Sequence, residues 1–269
     1  MMMPSRPVGE LLREWRQRRS LSQLDLAMRA EVSARHVSFL ETGRSAPSRD
    51  MLLHLAEELE VPLRERNALL MAAGFAPAYP ENSLEEPQMK AAREAVELVL
   101  SGHEPYPALA VDRHWHLITA NRAVGLLLEG IPSELLTPPV NVLRLSLHPE
   151  GLAPRILNLE QWRAHILARL QRQAAATADA KLAALLGALR DMGGGGAAHE
   201  VPDFTSIVVP LRMKTRLGVM SFISTTTVFG TPMDITLSEL AIESFFPADA
   251  VTGELLREAA AAARRSDMV

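Results

Sequence analysis

Residues 32–48 read VSARHVSFLETGRSAPS. Arg35, His36 and Ser38 offer hydrogen-bonding groups from a short helical stretch, with Val37 and Leu40 on its other side. Polar groups on one face and apolar residues behind suit a helix that presents side chains to another molecule. Other candidates for chemistry are sparser. His114 and His116 stand at i, i+2, which would place two imidazoles on one strand face as a candidate metal pair. With no Cys in the chain and no third ligand in view, the pair reads as hairpin surface and no metal site is assigned. Residues 224–227, STTT, carry hydroxyls without a surrounding His/Asp pattern, and Thr is a good strand residue. The four glycines 193–196 lack the following Lys and Ser/Thr of a phosphate loop and read as a mobile loop. No catalytic residue, enzyme activity or resident cofactor is expected.

Those residues need elements to hold them. Residues 7–75 read as five short helices. Val8, Leu11, Leu12 and Trp15 form one apolar stripe. Ser22, Ser33 and Ser48 are N-cap residues for the next three helices. Pro62 sits at the first turn of the fifth, which stops at Gly74. The order of helix, three-residue turn Ala30-Glu31-Val32 and helix is the helix-turn-helix pattern. In that pattern the first helix crosses the DNA backbone and the second lies in the major groove. Small Ala27 falls where the two helices cross, and Ala34, Arg35, Ser38 and Phe39 point outward.

Pro77, Pro80 and Pro87 mark residues 76–88 as a linker. A connecting helix over 88–101 follows. Residues 107–121 alternate around a tight Asp-Arg-His turn and read as a β-hairpin. Helical patterns cover 123–129, 158–173 and 178–192, with Asn158 and Gln161 at capping-box spacing. Residues 204–215, 216–230 and 240–246 read as strands, with Ile207, Val209, Leu211 and Met213 in period-2 order. Asp249 caps the last helix, and residues 263–269 read as a disordered tail. The fold expected is an all-α domain over 1–75 and an α+β domain over 89–262 with an antiparallel sheet covered by helices.

Composition is consistent with this. Of the 269 residues, 48% are apolar and 22% charged, enough for a sizeable core. The absence of Cys excludes disulfides, thiolate zinc sites and Cys nucleophiles. There is no signal-peptide core and no membrane-length apolar run, so a soluble cytoplasmic protein is expected. The net charge of −4 is unhelpful to nucleic-acid binding, but its distribution matters more than its sum. Arg6, Arg13, Arg16, Arg18 and Arg19 face only Glu10 and Glu14 in the first twenty positions.

Residues 21–62 resemble the lambda-repressor-like, Cro/xenobiotic-response-element type of DNA-binding domain. Ser22-Gln23, Ala27, Val32-Ser33, Leu40-Glu41, Gly43-Arg44, Pro47-Ser48 and Leu55-Ala56 carry the likeness. Glu31 departs from it, because the family usually has Gly there, so the turn is expected to differ or to be strained. The resemblance implies a double-stranded DNA partner and a homodimer. It places Gln23, Ser33 and Arg44 at phosphates and Arg35 at base edges, with Ala34 and Phe39 near a thymine methyl. His36 and Ser38 complete the candidate surface.

Residues 60–257 resemble the MmyB-like class of regulators, most specifically through STTTVFGTP and IESFFPAD. That resemblance implies a PAS-like ligand-binding domain and a ligand-responsive transcription factor, for which a fatty acid or similar lipid is the usual suspicion. Trp115, Leu117, Met220 and Phe222 are candidates to line a cavity. Asn121, Arg122, His148, Arg155, Trp162 and Arg212 are candidates to hold a head group. Two rival readings stand beside this one. The second domain could dock a protein partner and hold no ligand. It could instead be a self-cleaving repressor with a Ser/Lys dyad, for which Lys181 or Lys214 would supply the base. The DNA reading has a direct check. Selection from random duplexes with Arg35→Ala should relax preference at one base pair per half-site, a loss of about 1–3 kcal/mol of discrimination. An unchanged preference profile would rule Arg35 out as the base reader.

Overall fold

The computed structural model of the chain describes residues 6–192 and 209–266. The glycine run 193–196 and strand positions 204–208, Ile207 among them, lie outside the described residues. The chain divides into two compact units. One takes in Met1–Asn82 with Ala175–Ala178 and Pro232–Ser238; the other takes in Ser83–Ala174, Asp179–Thr231 and Glu239–Val269.

The first unit is built from α1 (Val8–Arg18), α2 (Gln23–Arg29), α3 (Ala34–Glu41), α4 (Arg49–Glu58) and α5 (Leu63–Ala72). Each serine expected as a cap is one. Ser22, Ser33 and Ser48 accept from the backbone N–H of Asp25, His36 and Met51 respectively. Asp25 returns a bond to Ser22 N–H and closes a capping box. Leu12, Trp15, Leu26, Ala27, Val37, Leu40, Leu52 and Leu55 meet in one apolar core. Gly9 is fixed by close approach: a Cβ there would stand 2.4 Å from the Leu40 carbonyl oxygen. Glu31 takes φ +51 at the end of α2, the left-handed conformation that suits glycine. The side chain makes that conformation cost about 1 kcal/mol. The turn survives because Val32 N–H bonds back to Ala27 O at 2.9 Å and His54 reaches the Ala30 carbonyl.

Beneath α3 lies a buried ion pair. Arg16 Nε and Nη2 donate to the two Glu41 oxygens at 2.6 and 2.9 Å, and Arg16 Nη1 donates to Leu21 O. A bidentate guanidinium–carboxylate pair fixes angle as well as distance, so it sets how α1 meets the end of α3.

The second unit centres on a five-stranded antiparallel sheet. Its strands are β1 (Ala108–Val111), β2 (Leu117–Ala120), β3 (Leu211–Thr215), β4 (Gly218–Val228) and β5 (Ala241–Pro247), in the order β2-β1-β5-β4-β3. The helices are α6 (Lys90–Gly102), α7 (Val124–Leu128), α8 (Val142–Leu147), α9 (Leu159–Thr177), α10 (Ala180–Asp191) and α12 (Ala250–Ser266); α11 (Ile235–Ser238) falls within the first unit's segment. Alternation along β1 separates two layers. Ala108 and Ala110, with Ile242, pack with Val96 and Leu100 of α6. Leu109 and Val111 face the larger core with Leu211, Met213, Met220 and Phe222.

Three local expectations are corrected. The hairpin turn is longer than Asp-Arg-His, because strand pairing stops at Val111 and resumes at Leu117. Trp115 therefore sits in the connection at φ +69, His114 is a turn residue, and His116 makes an isolated antiparallel bridge to Asn141, so the two histidines are not neighbours on one strand. Asn158 does not make the expected capping box. Its Oδ1 accepts from Arg212 N–H at 3.1 Å and its Nδ2 donates to Pro210 O at 2.7 Å, so it ties β3 to α9. Finally, α12 runs through Ser266, so residues 263–266 are helical rather than part of a disordered tail.

Acid should test the buried pair. Burial opposes the Glu41 charge, but hydrogen bonds from Arg16 and Gln23 and the Arg16 charge outweigh it and hold the carboxyl below the ordinary Glu value. The unfolded chain then takes up this proton first. The stabilisation is whole above about pH 4.3 and drains away as pH falls through the lower folded value. Glu41→Gln should lower stability by about 3 kcal/mol at neutral pH, since it leaves Arg16 buried without a counter-charge. It should also lose this part of the acid sensitivity. Melting curves of variant and parent that coincide from pH 3 to 7 would contradict the assignment.

Candidate DNA-reading helix and ligand cavity

On α3 the structure separates the residues that face the core from those that face out. Arg35 is exposed, and its guanidinium carbon stands 5.1 Å from the centre of the Phe39 ring. Arg44 approaches the same ring at 5.8 Å. Phe39 is half-buried and carries both cations, so its ring orients two guanidinium groups beside one helix face. His36 and Ser38 are half-buried neighbours on that helix. Ala34 packs partly against the helical core, so the expectation that it stands outward is corrected. Gln23 Nε2 donates to Glu41 Oε2 at 2.9 Å, and Ser33 Oγ is engaged in capping α3.

The second unit contains a cavity of about 100 Å³ on the larger-core side of the sheet. Its wall is overwhelmingly apolar, drawn from β1, β2, α7, α8, α9, β3 and β5. Trp115, Leu117 and Trp162 line it. The other sequence candidates are not brought there. Met220 and Phe222 are sealed in the core. Asn121 spends its amide on Ala108 N–H, Leu100 O and Tyr106 O, which anchors the hairpin to the end of α6. His148 Nδ1 accepts from Glu150 N–H. Arg155 donates to the carbonyls of Leu127 and Glu129, capping the C-terminal end of α7. Arg122 and Arg212 do not line the cavity either.

The polar groups that do line it are Ser146, His165, Arg169 and Glu243. Arg169 Nη1 donates to Glu243 Oε2 at 3.0 Å, and Nη2 donates to Glu243 Oε1 and to Thr226 Oγ1. The same guanidinium lies 4.4 Å from the centre of the Trp115 ring. Trp115 Nε1 donates to Gln173 Oε1 at 2.8 Å. Trp162 Nε1 donates to Ser146 Oγ at 2.9 Å, and His165 stacks on Trp162 with ring centres 5.5 Å apart. Burial, followed by the charges of Arg169 and Arg172, pushes the His165 pKa below its ordinary value, so the imidazole is neutral at physiological pH. A signal for these residues existed in the sequence. Trp162, His165, Ile166, Arg169 and Leu170 fall at i, i+3, i+4, i+7 and i+8, one face of a helix. Two polar residues set within an otherwise apolar stripe mark a buried site.

Three side chains of the β1–β2 connection form a separate cluster. Asp112, His114 and His116 hold ligand-type atoms within 4.8 Å of one another.

Comparison with protein families adds two matches. Residues 12–66 match the helix-turn-helix family, and residues 92–259 match the MmyB-like transcription regulator ligand binding domain. No curated protein matches the chain. Among the described residues no helix is long and apolar enough to cross a membrane.

The ring between the two arginines invites a test. Phe39→Ala should weaken binding to a selected duplex about three- to ten-fold through lost orientation of Arg35 and Arg44, since each exposed cation–π contact contributes about 0.5–1 kcal/mol. The melting temperature should move little, because Phe39 is half-exposed. Unchanged affinity by fluorescence anisotropy would remove Phe39 from the DNA-reading surface.

Proposed function

The chain belongs to the MmyB-like transcription regulators, a DNA-binding helix-turn-helix domain joined to a ligand-binding domain, and from that premise we propose that its cavity takes a compact, mostly apolar molecule whose binding modulates DNA binding. The observation that carries the proposal is the cavity: about 100 Å³, walled by Leu, Val and Trp, with one ion pair at its edge. A molecule of about six carbons suits such a volume, since dry cavities only a little larger hold benzene. At about 0.8 kcal/mol per buried methylene, that body contributes roughly 5 kcal/mol, enough for submillimolar binding.

The polar end is expected to be neutral. Glu243 already compensates Arg169, so a carboxylate entering here would meet both charges and gain little net attraction. A hydroxyl or carbonyl loses less on desolvation and could bond to Arg169, His165 or Ser146. A fatty acid, the class suspected for the family, fits less well on both charge and volume. We infer further that the chain acts as a homodimer. Two copies of α3 then occupy half-sites about 34 Å apart, and a ligand shifts affinity only by favouring one spacing over another.

Calorimetry with 1-hexanol, hexanoate and palmitate separates the possibilities. Hexanol should bind, hexanoate at least ten-fold more weakly, and Ile166→Phe, which fills the cavity, should abolish both. Palmitate binding more tightly than hexanol would replace the compact neutral ligand with a lipid. No binding of any of the three would favour a partner-docking domain.

A further inference from the structure

We propose that the hairpin turn between β1 and β2 is a binding site for a divalent first-row transition metal such as Zn²⁺, with Asp112, His114 and His116 as ligands and Asp179 as the positioning residue. In sequence the two histidines lacked a third ligand. The fold supplies it: one ligand atom from each of the three side chains lies within 4.8 Å of the others. His116 Nδ1 and Asp112 Oδ2 are already 2.9 Å apart. Ligand atoms around a tetrahedral zinc stand about 3.3 Å apart, from metal–ligand bonds of roughly 2.0–2.1 Å. The set therefore needs side-chain rotation rather than backbone rearrangement.

The turn holds these side chains in place. Asp112 Oδ1 accepts from the backbone N–H of both His114 and His116 at 2.8 Å, which leaves Oδ2 directed at the His116 ring. Asn141 Nδ2 donates to the His114 carbonyl at 2.8 Å. His114 Nε2 lies 2.9 Å from Asp179 Oδ2, and Asp179 is itself fixed as the N-cap of α10. A carboxylate on one ring nitrogen orients the imidazole and raises the basicity of the other, the support that metal-bound histidines commonly have. With Nε2 on Asp179, His114 presents Nδ1 to the ion. Arg113, adjacent in sequence to Asp112 and His114, is engaged by Asp179 and Glu239 at 3.5 and 3.1 Å, so its charge is compensated. Two imidazoles and one carboxylate suit zinc and its neighbours rather than Ca²⁺ or Mg²⁺, which take oxygen ligands. Each neutral imidazole binds through its unprotonated nitrogen, so the step needs no redox change, and a proton is released to solvent only from a ring that was protonated beforehand.

The position gives the site a consequence. Trp115, between the two histidines in sequence, lines the cavity and packs on Arg169. An ion at the turn would fix the backbone on both sides of that ring.

Equilibrium dialysis of the full chain against Zn²⁺, together with visible absorption after adding Co²⁺, tests the site. One ion per chain is expected, with Co²⁺ bands of a nitrogen- and oxygen-ligated centre. His114→Ala and His116→Ala should each weaken binding at least ten-fold. Asp179→Asn should weaken it about ten-fold while keeping the Co²⁺ spectrum. His148→Ala, away from the cluster, should change nothing. A second reading needs no variant: two histidine side-chain nitrogen resonances of the parent chain should shift on Zn²⁺ addition. Absence of stoichiometric binding, or equal binding by the parent and the His114→Ala/His116→Ala double variant, would overturn the site.

Discussion

A guanidinium cannot be placed beside an apolar cavity without a partner, and the arrangement of the second unit follows from how that partner is provided. Glu243 lies on β5, and its side chain is only 5% exposed. Arg169 approaches it from α9 with two donors, and Thr226 adds a hydroxyl from β4. Trp115 closes the other face of the same guanidinium from the hairpin turn. One ion pair thus joins a helix, two strands and a turn, and the cavity is the space these elements leave beside it. Removing either charge would strand the other in a mostly apolar setting, which costs far more than an exposed pair contributes.

The first unit rests on the same logic at smaller scale. Arg16 and Glu41 meet under α3, and Gln23 joins them from α2. Gln23 is thereby a link between α2 and the end of α3, whatever it does at a phosphate. The outward face is organised differently. Phe39 carries Arg35 and Arg44 on its ring, so an aromatic residue that the sequence suggested for base contact also acts as a support for cations.

Much of this was legible in the sequence, because local rules dominate there. Serines before apolar periodic runs mark Ser22, Ser33 and Ser48 as caps, and period-2 patterning marks β3 and β4. The positive φ at Glu31 was foreshadowed by the resemblance, which has Gly at that turn position. What was not legible depends on long-range pairing. Asn158 has capping-box spacing but is claimed by the β3 backbone, more than fifty positions away. Asn121 and Arg155 look like head-group donors until the carbonyls that occupy them are in place. His114 and His116 lacked a third ligand because the turn that aims Asp112 at them is longer than its sequence suggests. Arg169 was recoverable from the α9 stripe, but its partner Glu243 lies 74 positions on.

Coupling between cavity and DNA is the claim on which the functional reading stands. The most direct measurement is the dissociation constant of the full chain for a duplex selected from random sequence, at fixed salt, with and without saturating 1-hexanol, in the parent and in Ile166→Phe. The account predicts a shift of about five-fold or more in the parent, the lower end of ordinary allosteric coupling, and no shift in the filled variant. Identical DNA affinity with and without an alcohol that calorimetry shows to be bound would contradict it.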